Sequence, residues 1–331
     1  MSGLETILRV ENLRKVFPAR TAGLFVKSRR FNHAVDGVSF HVEKGETFGI
    51  VGESGSGKTT LARLILRLTN PTGGRILYKE QDINEMTRSE MKRFRRQVQM
   101  VFQDPYSSLD PRQRVFDIVA EPLKIHRIGD RTSIEERVRE ALGLVDLPAS
   151  QDFLWKVPDE LSGGERQRLG IARGVVLGAE LIVADEPVSM LDASVKAGII
   201  SLMTELKEER GLTYVFITHE IALAYHVCNR MAVMYSGKIV ELGGAEEVVG
   251  RPLHPYTALV MDAVPPLLPD DEWDPAGIEE PDLPSLSSPP EGCAFYSRCS
   301  LREDICRGSS PELVEVQEGR YLACFRCAPR S

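Results

Sequence analysis

The run Gly52-Glu53-Ser54-Gly55-Ser56-Gly57-Lys58-Thr59-Thr60 sets glycines, one lysine and hydroxyls at the spacing G-x-x-x-x-G-K-[ST]. Residues of those types at that spacing bind polyphosphate. The glycines let the backbone turn and bring its N–H groups to phosphate oxygens, and a helix start adds unpaired N–H groups and partial positive charge. Lys58 is then placed to reach the β- and γ-phosphates, and the Thr59 hydroxyl to ligate Mg²⁺. A nucleoside triphosphate site is expected, built from Gly52, Ser54, Gly55, Gly57, Lys58, Thr59 and Thr60.

Three further groups stand where buried strands are expected to end. Leu181-Ile182-Val183-Ala184 closes on Asp185 and Glu186. Asp185 is suited to hold Mg²⁺ through its water shell, and Glu186 to orient and deprotonate an attacking water. Gln103 follows the apolar run Val98 to Phe102, at the strand edge where ligands gather in open α/β sheets. His219 follows Thr213 to Ile217 and is a candidate γ-phosphate sensor. Ser162-Gly163-Gly164 opens a helix expected to run to about Leu177, and such a start offers N–H groups to an anion. Phe17 is placed either to stack on a base or to pack in the core.

These groups require elements to carry them. Thr47 to Val51 reads as the strand before the phosphate loop, and Leu61 to Leu66 as the helix after it. Ile7 to Val10, Val16-Phe17 and Ala34 to Phe40 read as early strands forming an antiparallel edge, with a polar, basic insertion from Arg20 to His33 that includes Lys27-Ser28-Arg29-Arg30. Arg75 to Tyr78 is a strand and Arg88 to Arg95 a charged helix. From Val115 to about Pro158 the pattern is helical, with Val138, Leu142 and Val145 on one face. Val195, Ile199, Leu202 and Leu206 share a face of a long helix after Asp192.

With 331 residues and 42% hydrophobic content the chain can bury a large core, and 41 Lys+Arg against 48 Asp+Glu gives −7. That balance offers no basic footprint for nucleic acid. No apolar run reaches about 18 residues and Met1 to Val10 lacks a signal-peptide core, so a secreted or membrane-spanning chain is not expected. Of 6 cysteines, Cys228 stands alone as a small buried hydrophobe, and Cys293, Cys299, Cys306, Cys324 and Cys327 crowd beyond a Pro-rich stretch starting at Val264. Cys293, Cys299, Cys306 and Cys324, with Cys327 as the alternative fourth, form a sulfur-only set suited to zinc or to an iron–sulfur cluster, and spacing does not choose between them.

Taken in order, Gly52 to Thr59, Gln103, Leu161 to Glu165, Asp185-Glu186 with Asp192, and His219 resemble the nucleotide-binding subunit of ABC transporters. The resemblance implies an α/β, phosphate-loop (RecA-like) ABC ATPase core with an antiparallel β edge, an inserted helical subdomain at about 104–160 and a small Cys-rich C-terminal extension. It implies a head-to-tail dimer in which ATP lies between the phosphate loop of one subunit and the Ser162-Gly163-Gly164 element of the other. Asp192 would lie at that interface, Gln103 would contact Mg²⁺ and the attacking water, and Glu186 would be the base. Phe102 to Arg112 and His254-Pro255-Tyr256-Thr257 are similar to segments of the dipeptide/oligopeptide importer branch, as is the insertion before Ala34. Val188, Met190 and Asp159 depart from the common residues without removing a catalytic group.

That branch implies a nucleotide-binding domain over 1–251, an extension over 252–331 and a [4Fe–4S] cluster rather than Zn²⁺ on the cysteines. It further implies two transmembrane permease subunits, a second and paralogous ATPase subunit, an external solute-binding protein acting indirectly, and a peripheral place on the cytoplasmic face of the membrane. The competing readings are a soluble ABC ATPase of DNA repair or translation, an importer of oligosaccharide or metal, and a redox-sensing module with a vestigial ATPase. Intact Lys58, Asp185, Glu186 and His219 weigh against the last.

Overall fold

The computed structural model describes residues 5–18, 31–263 and 291–327. The basic insertion, apart from residues 31–33, and the Pro-rich stretch at 264–290 lie outside them. From the N-terminus come β1 (Thr6–Pro18), β2 (Phe31–Glu43), β3 (Thr47–Val51), α1 (Lys58–Ile65), β4 (Gly73–Tyr78) and β5 (Gln81–Asp82). Then follow α2 (Arg88–Gln97), β6 (Val98–Val101), α3 (Pro105–Ser108), α4 (Val115–His126), α5 (Arg131–Gly143) and α6 (Gln151–Trp155). Next are α7 (Gly163–Val175), β7 (Leu181–Asp185), α8 (Ala193–Arg210), β8 (Thr213–Thr218), α9 (Ile221–Val227), β9 (Arg230–Tyr235) and β10 (Lys238–Gly244). The chain closes with α10 (Ala245–Gly250), α11 (Pro255–Asp262), α12 (Ile305–Gly308), β11 (Val314–Gln317) and β12 (Arg320–Leu322).

One early expectation is corrected. The two short strands expected at Ile7 to Val10 and Val16-Phe17 are one continuous strand, β1. Asn12, at φ 43°, sits mid-strand in the left-handed region that Asn tolerates, and its N–H donates to the Ser39 hydroxyl at 2.8 Å. The polar interruption is therefore a local irregularity within the strand.

The described residues group into two compact units, 5–7, 42–47 and 78–217 in one and 8–18, 31–41, 48–77, 218–263 and 291–327 in the other. In the first, β7 pairs in parallel with β6 on one side and β8 on the other. β7 and β8 are buried at every residue, as expected of parallel strands covered on both faces. Val138, Leu142 and Val145 are fully buried, as their spacing indicates. On α8 Ile199, Leu202 and Leu206 are buried as expected, Met203 is buried with them, and Val195 in the first turn is half-buried.

In the second unit β3 pairs in parallel with β9, β9 antiparallel with β10, β10 antiparallel with β12, and β12 antiparallel with β11. The C-terminal strands thus cover the edge that β10 would otherwise leave open to pairing with another chain. β1 lies between β2 and β4. Arg320 on β12 is 2.6 Å from Glu241 on β10, with side chains 3% and 0% exposed. Glu241 also accepts from the N–H groups of Leu253 and His254. Burial pushes the His254 imidazole down to about 4, so the ring is neutral, and its Nδ1 accepts from the Tyr256 N–H at 3.0 Å. Among the described residues no helix is long and apolar enough to cross a membrane.

Candidate nucleotide site

The candidate residues fall into two groups, one in each unit. In the second unit β3 delivers the chain to the phosphate loop, and α1 begins at Lys58 after Gly57. Gly57 has φ 108°, and a Cβ there would stand 2.1 Å from the Ala34 carbonyl oxygen. At Gly52 it would stand 2.2 Å from the Met234 carbonyl oxygen. The loop is pressed between neighbouring backbones, an approach that only glycine permits at these two positions. Lys58 is buried and its Nζ donates to the carbonyls of Gly52 and Glu53 at 2.6 and 2.9 Å. The buried Ser56 hydroxyl finds no partner among the described residues. Lysine, glycines and an orphaned hydroxyl on one helix-opening loop fit a polyphosphate. Ser54, Gly55 and Thr59 are exposed on the same loop, and Thr60 is half-buried.

His219 lies between β8 and α9 and is exposed. Phe17 is 38% exposed, so core packing is excluded for it, and the Lys15 ammonium sits 4.9 Å from its ring centroid. Two residues that carried no chemical signal in the sequence also reach this loop. The Tyr256 hydroxyl accepts from the Glu53 N–H at 3.0 Å, and Arg298 grips the Glu53 carboxylate through both terminal nitrogens at 3.0 Å.

In the first unit Gln103 follows β6 and Glu186 follows β7, two adjacent parallel strands. Their carboxyl ends bring the side chains together: Gln103 Nε2 donates to Glu186 Oε2 at 3.0 Å. Glu186 has φ 47°, and its N–H donates to the Ile217 carbonyl at 2.9 Å. A glutamate held in the left-handed region by its neighbours is a backbone kept in place at some cost. Asp185, one residue earlier, is 3% exposed. A buried carboxylate at a strand end fits a Mg²⁺ ligand.

Ser162 is the N-cap of α7 in a capping box with Glu165: its hydroxyl accepts from the Glu165 N–H, and the Glu165 carboxylate accepts from the Ser162 N–H at 2.8 Å. Hydrogen bonds from Ser162 hold the Glu165 carboxyl below its usual range. Asp192 caps α8, accepting from the Val195 N–H and the Ser194 hydroxyl, which hold its carboxyl below the usual range. Both caps are exposed on helix starts.

Cys228 is buried on α9's C-terminal flank, as expected. Cys293, Cys299, Cys306 and Cys324 line one cavity of about 20 Å³ together with Tyr296 and Arg302, and Cys327 is not part of that lining. Burial raises the thiols of Cys293 and Cys299, and burial with Cys324 beside it pushes Cys327 up to about 12. The donor chemistry suits a sulfur-ligated group, but among the described residues no three Cys, His, Asp or Glu side chains gather closely enough to hold a single metal ion.

The family model described as ABC transporter matches residues 35–189, and that for the oligopeptide/dipeptide transporter C-terminal region matches 240–306. The chain is 45% identical over 322 residues to the oligopeptide transport ATP-binding protein AppF of Bacillus subtilis, spanning 97% of each. It is 44% identical over 328 residues to the probable peptide ABC transporter ATP-binding protein y4tS of Sinorhizobium fredii, spanning 98% of this chain and 91% of that one. Among solved structures, the ATP-binding cassette MJ0796, dimeric in a post-hydrolysis state with ADP and phosphate, superimposes with TM-score 0.62 at 28% identity over 72% of this chain and 98% of its own. The cbiO1 protein of Clostridium perfringens, part of the transporter complex cbiONQ, gives TM-score 0.63 at 28% identity over 75% and 92%.

Proposed function

Because the chain belongs to the ATP-binding subunits of ABC transporters, with the C-terminal region of the oligopeptide/dipeptide type, we propose that it hydrolyses ATP to drive uptake of peptides or related solutes. Its place would be peripheral, on the cytoplasmic face of a membrane, docked on two transmembrane permease subunits. A second ATPase subunit would complete its sites, and an external solute-binding protein would deliver cargo. The peptide reading is supported by what the relatives are named for, and the ATPase core by the family itself. The domain division follows the same reading: nucleotide-binding domain over 1–251, helical subdomain at about 104–160, extension over 252–331.

The observation that carries the hydrolytic reading is the 3.0 Å bond from Gln103 to Glu186. A general base must be held within reach of the proton it takes. Gln103 holds the Glu186 carboxylate by one oxygen, which orients the group that would take the proton of the attacking water. Gly52, Ser54, Gly55, Gly57, Lys58, Thr59 and Thr60 cradle the phosphates, Phe17 stacks on the base, and His219 meets the γ-phosphate. Mg²⁺, held by Thr59, Gln103 and Asp185, would neutralise charge developing on the β- and γ-oxygens. Ser162, Gly163, Gly164 and Asp192 serve the nucleotide of a partner subunit, which makes each chain half of a site.

Hydrolysis per subunit is therefore expected to rise with protein concentration as dimers form, read by phosphate release alongside light scattering. Full-rate hydrolysis by demonstrably monomeric protein would overturn the half-site reading. For the extension, Cys293, Cys299, Cys306 and Cys324, with Cys327 as the alternative fourth, are proposed to hold a [4Fe–4S] cluster. Such a cluster would cross-link a short segment that has little core of its own. Anaerobically purified protein is expected to absorb near about 400 nm, as iron–thiolate centres do. A colourless, zinc-loaded sample would assign Zn²⁺ instead.

A further inference from the structure

Glu53 puts a carboxylate inside a loop whose task, on the ATPase reading, is to receive a polyphosphate. Left alone, that charge would repel the ligand. Arg298, 245 residues further along the chain, closes both terminal nitrogens on it at 3.0 Å. The Arg298 side chain is only 11% exposed, and Glu53 30%. The guanidinium is walled by aromatic rings, 5.6 Å from the Phe295 centroid, 5.7 Å from Tyr235 and 6.0 Å from Tyr256. Tyr256 also accepts the Glu53 N–H. A planar fork that always carries charge and is held between rings is pre-organised for one carboxylate. The carbonyl of the same Glu53 accepts from Lys58 Nζ at 2.9 Å and from the Ser56 N–H at 3.1 Å. The residue that Arg298 fixes is thus the one on which the phosphate-binding lysine rests.

We propose that Arg298 is a positioning residue of the phosphate loop, neutralising and orienting Glu53 so that the cysteine-rich extension sets the affinity of the loop for ATP. The inference rests on the ATPase reading and extends the nucleotide site to a residue of the extension. Arg298 precedes Cys299 directly in sequence, so the clamp and the thiol-lined cavity share one short segment.

The test is titration of full-length protein with a fluorescent ATP analogue and Mg²⁺. Arg298→Ala is expected to raise the dissociation constant about ten-fold at low salt. That defect should shrink at about 1 M salt, where charges are screened beyond about 3 Å. Adding Glu53→Gln to Arg298→Ala removes the unpaired charge and is expected to restore most of the affinity, which a purely structural arginine would not permit. Arg298→Lys, which keeps the charge but loses the fork, should fall between and serves where the alanine variant folds poorly. Affinity unchanged in Arg298→Ala, or a double variant no better than the single one, would overturn the proposal. Failure of the parent chain to bind the analogue would instead overturn the ATPase reading beneath it.

Discussion

Glu186→Gln is expected to lower ATP turnover by about 10²–10⁴-fold, the usual contribution of a positioned general base, with ATP binding intact. The substitution is nearly isosteric. Its amide oxygen can still accept from Gln103, which donates to the Glu186 carboxylate at 3.0 Å in the parent chain. The backbone at φ 47° keeps its N–H bond to Ile217, so neither turn nor strand should move. What is lost is the negative charge and with it the capacity to take a proton. The variant should therefore bind ATP and persist as a closed dimer, seen as a larger species by size-exclusion chromatography with ATP present. Phosphate release within about three-fold of the parent rate would remove Glu186 from the base role.

The largest effect on stability is expected from Arg320→Ala, a loss of about 3–5 kcal/mol in denaturant unfolding. Glu241 is fully buried, and Arg320 is the cation set against it at 2.6 Å. Truncation leaves a buried carboxylate with, among the described residues, only the Leu253 and His254 N–H groups as donors. It also removes the guanidinium bonds to the carbonyls of Glu247 and Arg251, which tie β12 to α10 and to the residue that caps it. Replacing both members by apolar residues of similar volume, as in Glu241→Leu with Arg320→Met, should recover much of the loss, because the cost lies in the uncompensated charge. A single-variant loss below about 1 kcal/mol would show that water or a rearranged neighbour reaches Glu241.

What was legible in the sequence was local. Asp185, Glu186 and Gln103 could be placed because a polar group at the end of an apolar strand marks a sheet edge, and the parallel pairing of β6 with β7 brings two of them into contact. Ser162 was readable as a cap because the hydroxyl and Glu165 stand three residues apart. On α8 the expected face is buried at Ile199, Leu202 and Leu206, and Met203 joins it beyond the residues the spacing singled out. Where the reading failed, a second element decided. β1 runs unbroken because Asn12 takes up the irregularity that its polar neighbours suggested was a break. The Arg298–Glu53 and Arg320–Glu241 pairs join residues far apart in sequence, and no spacing rule reaches that far.

The distance between Glu53 and its clamp is also an interval of time. At about 5–20 residues per second, roughly 10–50 s of synthesis separate the phosphate loop from the arginine 245 positions later. Until Arg298 is made, the Glu53 carboxylate lacks the guanidinium that grips it. On the clamp proposal, the loop's hold on polyphosphate is therefore expected to tighten only once Arg298 is in place.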